Sequence, residues 1–214
     1  MIEIKKRSWD DISINDYYDI QDIIESKENE IDKQVKVLAI LCDAQPEDIY
    51  DLSMTEIAKL NSKIGWINEF NYDKKFHSKK ITVANNEYTV SVDLQAMSIS
   101  QYIDFQTFWG KNNLRQYIGN ILAVFLVPKG KKYCDGYNAA ELAASFRDTI
   151  SITLASSICF FFAKSLQISI VSTILYSEWL MKKLEKRKDN PLLMEKVKQA
   201  KEQARRLMAF LTER

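Results

Sequence analysis

The stretch that decides the fold is residues 149–188, TISITLASSICFFFAKSLQISIVSTILYSEWLMKKLEKRK. It has no charged residue from Ile150 to Ala163, and it becomes basic from Lys182 onward. The uncharged run is about 14 residues long, whereas a membrane-spanning helix needs about 20 apolar residues. We therefore predict a buried helix that ends near 163–165, followed by a longer amphipathic helix.

A membrane-inserted form of residues 150–176 is the alternative for this stretch. Lys164 and Gln167 lie near its centre, and a charged side chain at the centre of a bilayer is costly. We therefore expect no stable membrane span.

The overall composition indicates a helical protein with one basic end. The 214 residues include only 5 glycines and 3 prolines, fewer than turn-rich β proteins use. The net charge is +1, but residues 182–214 carry 11 basic and 5 acidic residues, and residues 1–181 carry 19 basic and 24 acidic ones. The C-terminal end is therefore the main charge asymmetry, and the small net charge predicts no general attraction to nucleic acid or membranes.

We predict a mainly α-helical α+β fold with an N-terminal helical unit, one small β-hairpin and then a larger helical bundle. The predicted domains are residues 1–70 as the N-terminal helical unit, 71–80 as a linker, 81–190 as the hairpin with the helical core, and 191–214 as a basic amphipathic C-terminal helix. The linker is inferred from its polar, lysine-rich sequence NYDKKFHSKK. A chain that folds as one body across this linker is the alternative.

Local patterns place several elements. Ser53 and Glu56 have the spacing of a capping box and predict a helix start. Alternating apolar residues on both sides of Asn85–Asn86 predict the hairpin, because asparagine tolerates the left-handed backbone of a tight turn. Residues 1–5 are predicted to form either a short strand, which could pair with the hairpin, or an extended arm. Apolar residues at helical spacing predict a helix over 113–127. The helix before it, near residues 98–110, is predicted to carry a dense aromatic face made of Tyr102, Phe105, Phe108 and Trp109.

The sequence predicts no catalytic residue, no cofactor site and no metal site. It contains no glycine-rich phosphate loop, no GxSxG or HExxH motif and no Cys-x-x-Cys pair. His77 is the only histidine and lies in a lysine-rich segment, so we interpret it as a surface residue. The three cysteines are far apart in sequence, which fits a reducing compartment. The N-terminus has no hydrophobic signal core, so we expect no export signal.

Two segments are candidates for binding a partner. The first is the C-terminal helix, in which Leu193, Val197 and Leu207 belong to an apolar stripe and Lys198, Arg205 and Arg206 supply positive charge. Such a face could bind another protein, a second copy of the chain, nucleic acid phosphates or an anionic membrane. The second is the loop 128–138, which combines three lysines with two tyrosines, a combination that can hold single-stranded nucleic acid.

Several segments resemble proteins of tailed bacteriophages. The sequences SWDDISINDYYDI and KQVKVLAILCDAQPEDIYDLSMTEIAKL are similar to the N-terminal part of small phage assembly proteins, including tail-assembly chaperones. The later segments SISQYIDFQTF, ILAVFLVPKGKKY and ASSICFFFAK resemble proteins in the virion gene clusters of phages of Bacteroides-type hosts. The resemblance covers residues 8–70 most closely.

The resemblance implies a non-enzymatic structural or assembly protein that acts by protein–protein contacts with other phage structural proteins. It implies a location in the host cytoplasm during assembly and then in the virion. A chaperone that leaves the particle and a component that stays are both open, although the long apolar C-terminal part favours a component that stays. The alternative function is a nucleic-acid-associated protein that uses the basic C-terminal helix and the loop 128–138; a homo-oligomer is also possible.

Overall fold

The computed structural model describes residues 2–70, 76, 78–91, 97–109, 114–187 and 191–212. The fold is mainly α-helical with a small antiparallel sheet, which confirms the predicted fold class. In chain order the elements are α1 (Ile14–Glu25), α2 (Glu30–Cys42), α3 (Pro46–Tyr50), α4 (Met54–Asn61), β1 (Lys80–Val83), β2 (Asn86–Val90), α5 (Ile99–Trp109), α6 (Leu114–Phe125), β3 (Leu126–Pro128), α7 (Ala139–Thr149), α8 (Ile152–Arg187) and α9 (Pro191–Thr212).

The chain divides into two compact units, residues 1–159 and residues 160–214. The boundary between the units lies at residues 159–160, whereas the predicted linker is 71–80. Residues 1–70 therefore share a unit with the hairpin and with α5 to α7. Of the linker 71–80, residues 71–75 and 77 lie outside the described residues. His77, which we interpret as a surface residue, is one of these.

Side-chain caps start the helices at the N-terminal end of the first unit. The Ser13 hydroxyl accepts a hydrogen bond from the Asp16 N–H at 3.1 Å, and the Asp16 carboxylate in turn accepts from the Ser13 N–H. Ser53 and Glu56 form the same reciprocal pair at the start of α4, which confirms the predicted capping box. These contacts satisfy N–H groups that have no partner within the helix.

The first unit has an N-terminal hydrophobic core that is closed by residues much later in the chain. Ile152 is buried among core residues from the first 60 positions. Ser13 and Ser151 form an isolated antiparallel bridge, the Ile14 N–H donates to the Ile150 carbonyl at 3.2 Å, and the Ile152 N–H donates to the Ile12 carbonyl at 2.8 Å. The buried members of this core are Ile4, Trp9, Ile12, Ile20, Val35, Leu38, Ala39, Leu41, Cys42, Ile49, Leu60 and Ile152.

The N-terminal segment is attached to the end of α2 and contributes no strand to the sheet. The N–H groups of Lys5 and Lys6 both donate to the Leu41 carbonyl, at 3.0 and 3.1 Å. The Lys6 ammonium also lies 2.8 Å from the Asp16 carboxylate and 3.1 Å from that of Asp43. Burial alone lowers the pKa of Lys6, but the hydrogen bonds to both carboxylates outweigh it and raise this pKa above its ordinary value. Of the two predictions for residues 1–5, the strand is therefore wrong, and the described residues form an arm along the end of α2.

The sheet has the strand order β1-β2-β3, and all its pairs are antiparallel. Ala84 and Asn85 form the hairpin turn with φ values of 47° and 65°, so the turn lies one residue before the predicted Asn85–Asn86. The Asn86 side-chain amide donates to the Ala84 carbonyl at 3.2 Å and stays at the start of β2. Positive φ at both central residues is what a two-residue hairpin of this type requires.

The third strand follows α6 directly. The prediction of a helix over 113–127 is wrong at its end, because α6 stops at Phe125 and Val127 pairs with Thr89 of β2. Pro128 accounts for the change, since a proline disfavours helical backbone in the residue before it. The turn from helix to strand brings Phe125 against Phe105 of α5, with ring centroids 5.7 Å apart.

The predicted break in the stretch 149–188 is also wrong, because α8 is one helix of 36 residues. Its sequence contains neither glycine nor proline between Ile152 and Arg187, so nothing in the backbone forces a break. Within α8, the Ser157 hydroxyl donates a hydrogen bond to the Thr153 carbonyl at 2.8 Å, so this polar side chain is accommodated by the helix itself. As predicted, Pro191 is the first residue of the last helix, α9.

Candidate protein-interaction surfaces

The predicted partner-binding residues of α9 lie in different environments. Val197 is buried in the second unit, whereas Lys198, Arg205 and Arg206 are exposed. The side chains of Leu193 and Leu207 are outside the described ones, although both positions belong to α9. Because Val197 is already covered, it is a core residue of the second unit rather than part of an open partner surface.

Ion pairs join α9 to the later part of α8 within the second unit. The Glu178 carboxylate lies 2.8 Å from the Lys201 ammonium and 3.5 Å from the Arg205 guanidinium. Val197 and Ala204 are buried on α9; with Lys201 they follow the i, i+4, i+7 spacing of one helix face. The ion pairs of Glu178 therefore join the two helices on the face of α9 that carries these buried apolar residues.

A groove of about 590 Å³ lies in this second unit, and we call it the methionine groove. Met181 of α8 and Met194 of α9 line it, together with the basic residues Lys198, Lys201 and Arg205. Both methionines are half-buried, and Lys198 is exposed. The charge pattern of the sequence pointed to this end of the chain, but the two methionines could not be assigned to a groove from sequence alone.

The loop 128–138 is bound to its own unit. Lys129 forms an ion pair with Glu87 of β2, and the Lys131 ammonium donates to the Gly136 carbonyl at 2.8 Å. The Tyr133 hydroxyl donates to the Asp104 carboxylate of α5 at 2.8 Å. Burial, followed by this hydrogen bond, raises the pKa of Tyr133 well above its ordinary value. Two of the three loop lysines and one of its tyrosines therefore already have partners within the chain.

Helix α5 carries an exposed apolar stripe that the sequence analysis missed. Ile99, Tyr102 and Ile103 are 80%, 44% and 56% exposed, and their i, i+3, i+4 spacing places them on one face. Phe105 is fully buried on another face, together with Gln101, whose side-chain amide donates to the Val124 carbonyl at 3.1 Å. Tyr102 is thus separated from the inward aromatic residues with which it was grouped.

A buried polar residue is the signal that could have revealed this stripe. Gln101 is covered because its side chain also accepts from the Ser98 N–H at 3.1 Å and so helps to cap α5. The capping contact keeps the Gln101 side chain on the buried side of α5. Because Ile99 and Ile103 are each two residues away, about 200° around the helix, they lie on the opposite, exposed side. An apolar pattern alone would place isoleucines inward.

The N-terminal part of the first unit has a smaller groove of about 350 Å³. Ile24, Val37 and Ile64 contribute its apolar lining, and Ile24 is exposed. Glu30 and Lys33 stand at its side and form an ion pair of 3.1 Å with each other. The groove therefore has an apolar lining and little net charge.

No group of histidine, cysteine, aspartate and glutamate side chains in the described ranges is arranged to hold a metal ion. Within the same ranges, no helix combines the length and the apolar character needed to span a membrane.

Comparison with known proteins adds no relative. No protein-family model, no curated protein and no solved structure matches the chain. The resemblance to phage assembly proteins therefore stays a prediction from the sequence.

Proposed function

We propose that this chain is a non-enzymatic bacteriophage structural or assembly protein that acts by contacts with other phage proteins. The observation that carries the proposal is the exposed stripe of Ile99, Tyr102 and Ile103 on α5. The sequence resemblance names the class of partner, and the stripe supplies a surface on which such a partner can bind.

The chemistry of the stripe is that of a protein interface. Asp104 is the only charged residue of α5, and its carboxylate accepts a hydrogen bond from the Tyr133 hydroxyl. The exposed face of α5 therefore combines large apolar side chains with the small hydroxyl residues Ser100 and Thr107. Clustered apolar groups without charge are typical of the core of a protein–protein interface, in which charged residues are depleted.

The first test is mass spectrometry of purified particles of the encoding phage. We expect the chain to be present in a fixed copy number if it is a structural component. An assembly factor that leaves would instead be found bound to phage structural proteins in infected cells. Absence from both the particles and those complexes would contradict the proposal.

Two variants make the test specific. Ile103→Glu places a charge in the stripe, whereas Ala144→Glu places the same charge on an exposed position of α7, away from the stripe. Both positions are exposed, so neither change should disturb the core. We expect Ile103→Glu to reduce incorporation or complex formation at least about tenfold, since burying an unpaired charge costs several kcal/mol, and Ala144→Glu to have little effect.

A nucleic-acid-associated protein is the alternative function, and the exposed basic residues Lys196, Lys198 and Arg206 of α9 favour it. Phosphate contacts of this kind predict binding that weakens steeply with salt. The test is a salt titration of duplex and single-stranded DNA binding by the full chain and by a chain lacking residues 182–214. No binding at low salt would exclude this alternative.

A further inference from the structure

We propose that the methionine groove of the second unit binds an acidic amphipathic helix of a partner protein. This deepens the proposed function by naming the chemistry of one partner, and it rests on that function only in taking the chain to act through other proteins. The groove lies on α8 and α9, so the surface differs from the α5 stripe.

The groove lining fits apolar side chains that a helix presents. Met181 and Met194 are half-buried, and methionine has a flexible, polarizable side chain that adapts to differently shaped partners. The groove has a volume of about 590 Å³, room for several apolar side chains. An amphipathic helix that lays its apolar face into a groove is a common mode of peptide recognition.

The acidic side chains at the groove are already engaged. Glu202 lies 3.6 Å from the Arg206 guanidinium, and Glu195 accepts a hydrogen bond from the Gln199 amide at 3.3 Å. Glu178 is paired with both Lys201 and Arg205. The ion pairs offset the negative charge of Glu202 and Glu178, whereas the neutral Gln199 amide only occupies an oxygen of Glu195.

Positive charge is left over for a partner. Lys198 lines the groove, is exposed and makes no ion pair with any side chain in the described part of the chain. Two cations share the single carboxylate of Glu178. Residues 160–214 as a whole contain 12 basic and 6 acidic residues, so the field around the groove attracts acidic groups. Carboxylates that flank the apolar face of a partner helix would complement this arrangement.

The lining favours a protein partner over nucleic acid. Single strands are commonly held by aromatic side chains on which bases stack, and no aromatic residue is among the described residues that line the groove. Nucleic acid and anionic membranes are therefore outcomes that the test must separate.

The test is binding of the full chain to a fluorescent model peptide of about 20 residues, long enough to form a helix on binding. The acidic peptide has leucine and methionine at i, i+3, i+4, i+7 spacing and glutamate elsewhere. A second peptide has lysine in place of every glutamate. We expect the acidic peptide to bind and the lysine peptide to bind at least about tenfold more weakly, a difference of about 1.4 kcal/mol.

Matched charge reversals assign the binding to the groove. Lys198→Glu changes a residue that lines the groove, and Lys196→Glu makes the same change on the same helix outside it. We expect the first reversal to weaken binding at least about tenfold and the second by less than about twofold. Circular dichroism checks the fold of both variants. Met194→Gln, which changes the apolar lining and avoids the ion pairs of Glu178, keeps the test decisive if Lys198→Glu unfolds.

Several results would overturn the inference. Equal weakening by both reversals would mean general charge attraction, and equal binding of the lysine peptide would remove the role of charge. Tighter binding to duplex DNA, or to phosphatidylcholine vesicles with about one-quarter phosphatidylserine, would assign the groove to another ligand. If the chain is found in particles but the acidic peptide does not bind, only this inference fails. If the peptide binds and the chain is found in neither particles nor phage complexes, only the proposed function fails.

Discussion

Gly119 lies within α6 at the point where the backbone of α7 approaches closely. A Cβ atom at this position would collide with the carbonyl oxygen of Ala143 and lie 2.8 Å from the Cγ atom of Arg147. Glycine is a poor helix former, so the close approach of the two helices explains its place here. Substitution at this residue tests how tightly α6 and α7 pack.

We expect Gly119→Ala to lower the free energy of unfolding by about 1–2 kcal/mol. Overpacking costs about 1–3 kcal/mol, and alanine returns up to about 1 kcal/mol in helix propensity. Gly65→Ala is the control, because a Cβ atom there would meet no atom within 4 Å. Urea unfolding of both variants measures the difference. Equal stability of Gly119→Ala and the unmodified chain would show that α7 can shift away.

The three cysteines are expected to differ in reactivity. Cys134 is exposed, while burial raises the pKa of Cys42 and raises that of Cys159 to about 12. Because the thiolate is the reactive form, iodoacetamide should label Cys134 first, the half-buried Cys159 much more slowly and the buried Cys42 only after unfolding. Peptide mass spectrometry after timed labelling measures the order, and Cys134→Ser should abolish the early phase. Early labelling of Cys42 or Cys159 would contradict the burial described above.

At the scale of elements, the start of α7 depends on one side chain. The side-chain oxygen Oδ1 of Asn138 accepts hydrogen bonds from the N–H groups of Ala140 at 3.0 Å and Glu141 at 3.4 Å. We expect Asn138→Ala to cost about 1 kcal/mol of stability. Asn138→Asp is the control, since aspartate caps a helix equally well and its charge suits the helix N-terminus. A thermal melt of Asn138→Ala that matches the unmodified chain would show that the cap contributes nothing.

Elements that depend on local chemistry could be predicted from the sequence. The capping pair Ser53–Glu56 and the start of α9 at Pro191 were found because the caps need only neighbouring residues. The end of α6 differs from the prediction because β3 forms through hydrogen bonds to β2, which lies more than 35 residues earlier in the chain. The continuity of α8 was missed because Lys164 was interpreted as a boundary, although a charged residue does not interrupt helical hydrogen bonds.

At the scale of the whole molecule, the candidate surfaces also combine features that composition predicts with features that depend on distant contacts. The basic character of the C-terminal end is a property of composition, so it could be predicted. The burial of Val197 and the exposure of Ile99 and Ile103 depend on which helix faces meet in the folded chain. The Ser98–Gln101 cap is a local hint for α5, but the apolar pattern itself places isoleucine and valine inward, because these residues are most often buried.

Ion pairs between distant segments predict how the whole chain responds to acid. Hydrogen bonds from Arg115 lower the pKa of Asp22, which joins α1 to α6, and a hydrogen bond from Lys129 lowers that of Glu87. A lowered pKa adds stability above the pKa of the unfolded chain, and this stability is lost as the pH falls through the folded value. We therefore expect the urea midpoint to fall between about pH 5 and about pH 3.

A matched variant isolates one of these ion pairs. Asp22→Asn removes the carboxylate but keeps the size of the side chain, so its urea midpoint should change less with pH over the same range. The variant should also be less stable than the unmodified chain near neutral pH, by a small amount because both groups are largely exposed. An unchanged pH dependence would show that this pair does not contribute to acid unfolding.

The bridge between Ser13 and Ser151 has a consequence for synthesis of the chain on the ribosome. The N-terminal core includes Ile12 and Ile152, so its last member is made about 140 residues after the first part. At about 5–20 residues per second, this is a delay of roughly ten seconds. During that time α1 to α4 emerge with an unfinished apolar face, and closing so long a loop is slow. Nascent chains that stop before residue 150 should therefore be the ones that chaperones hold.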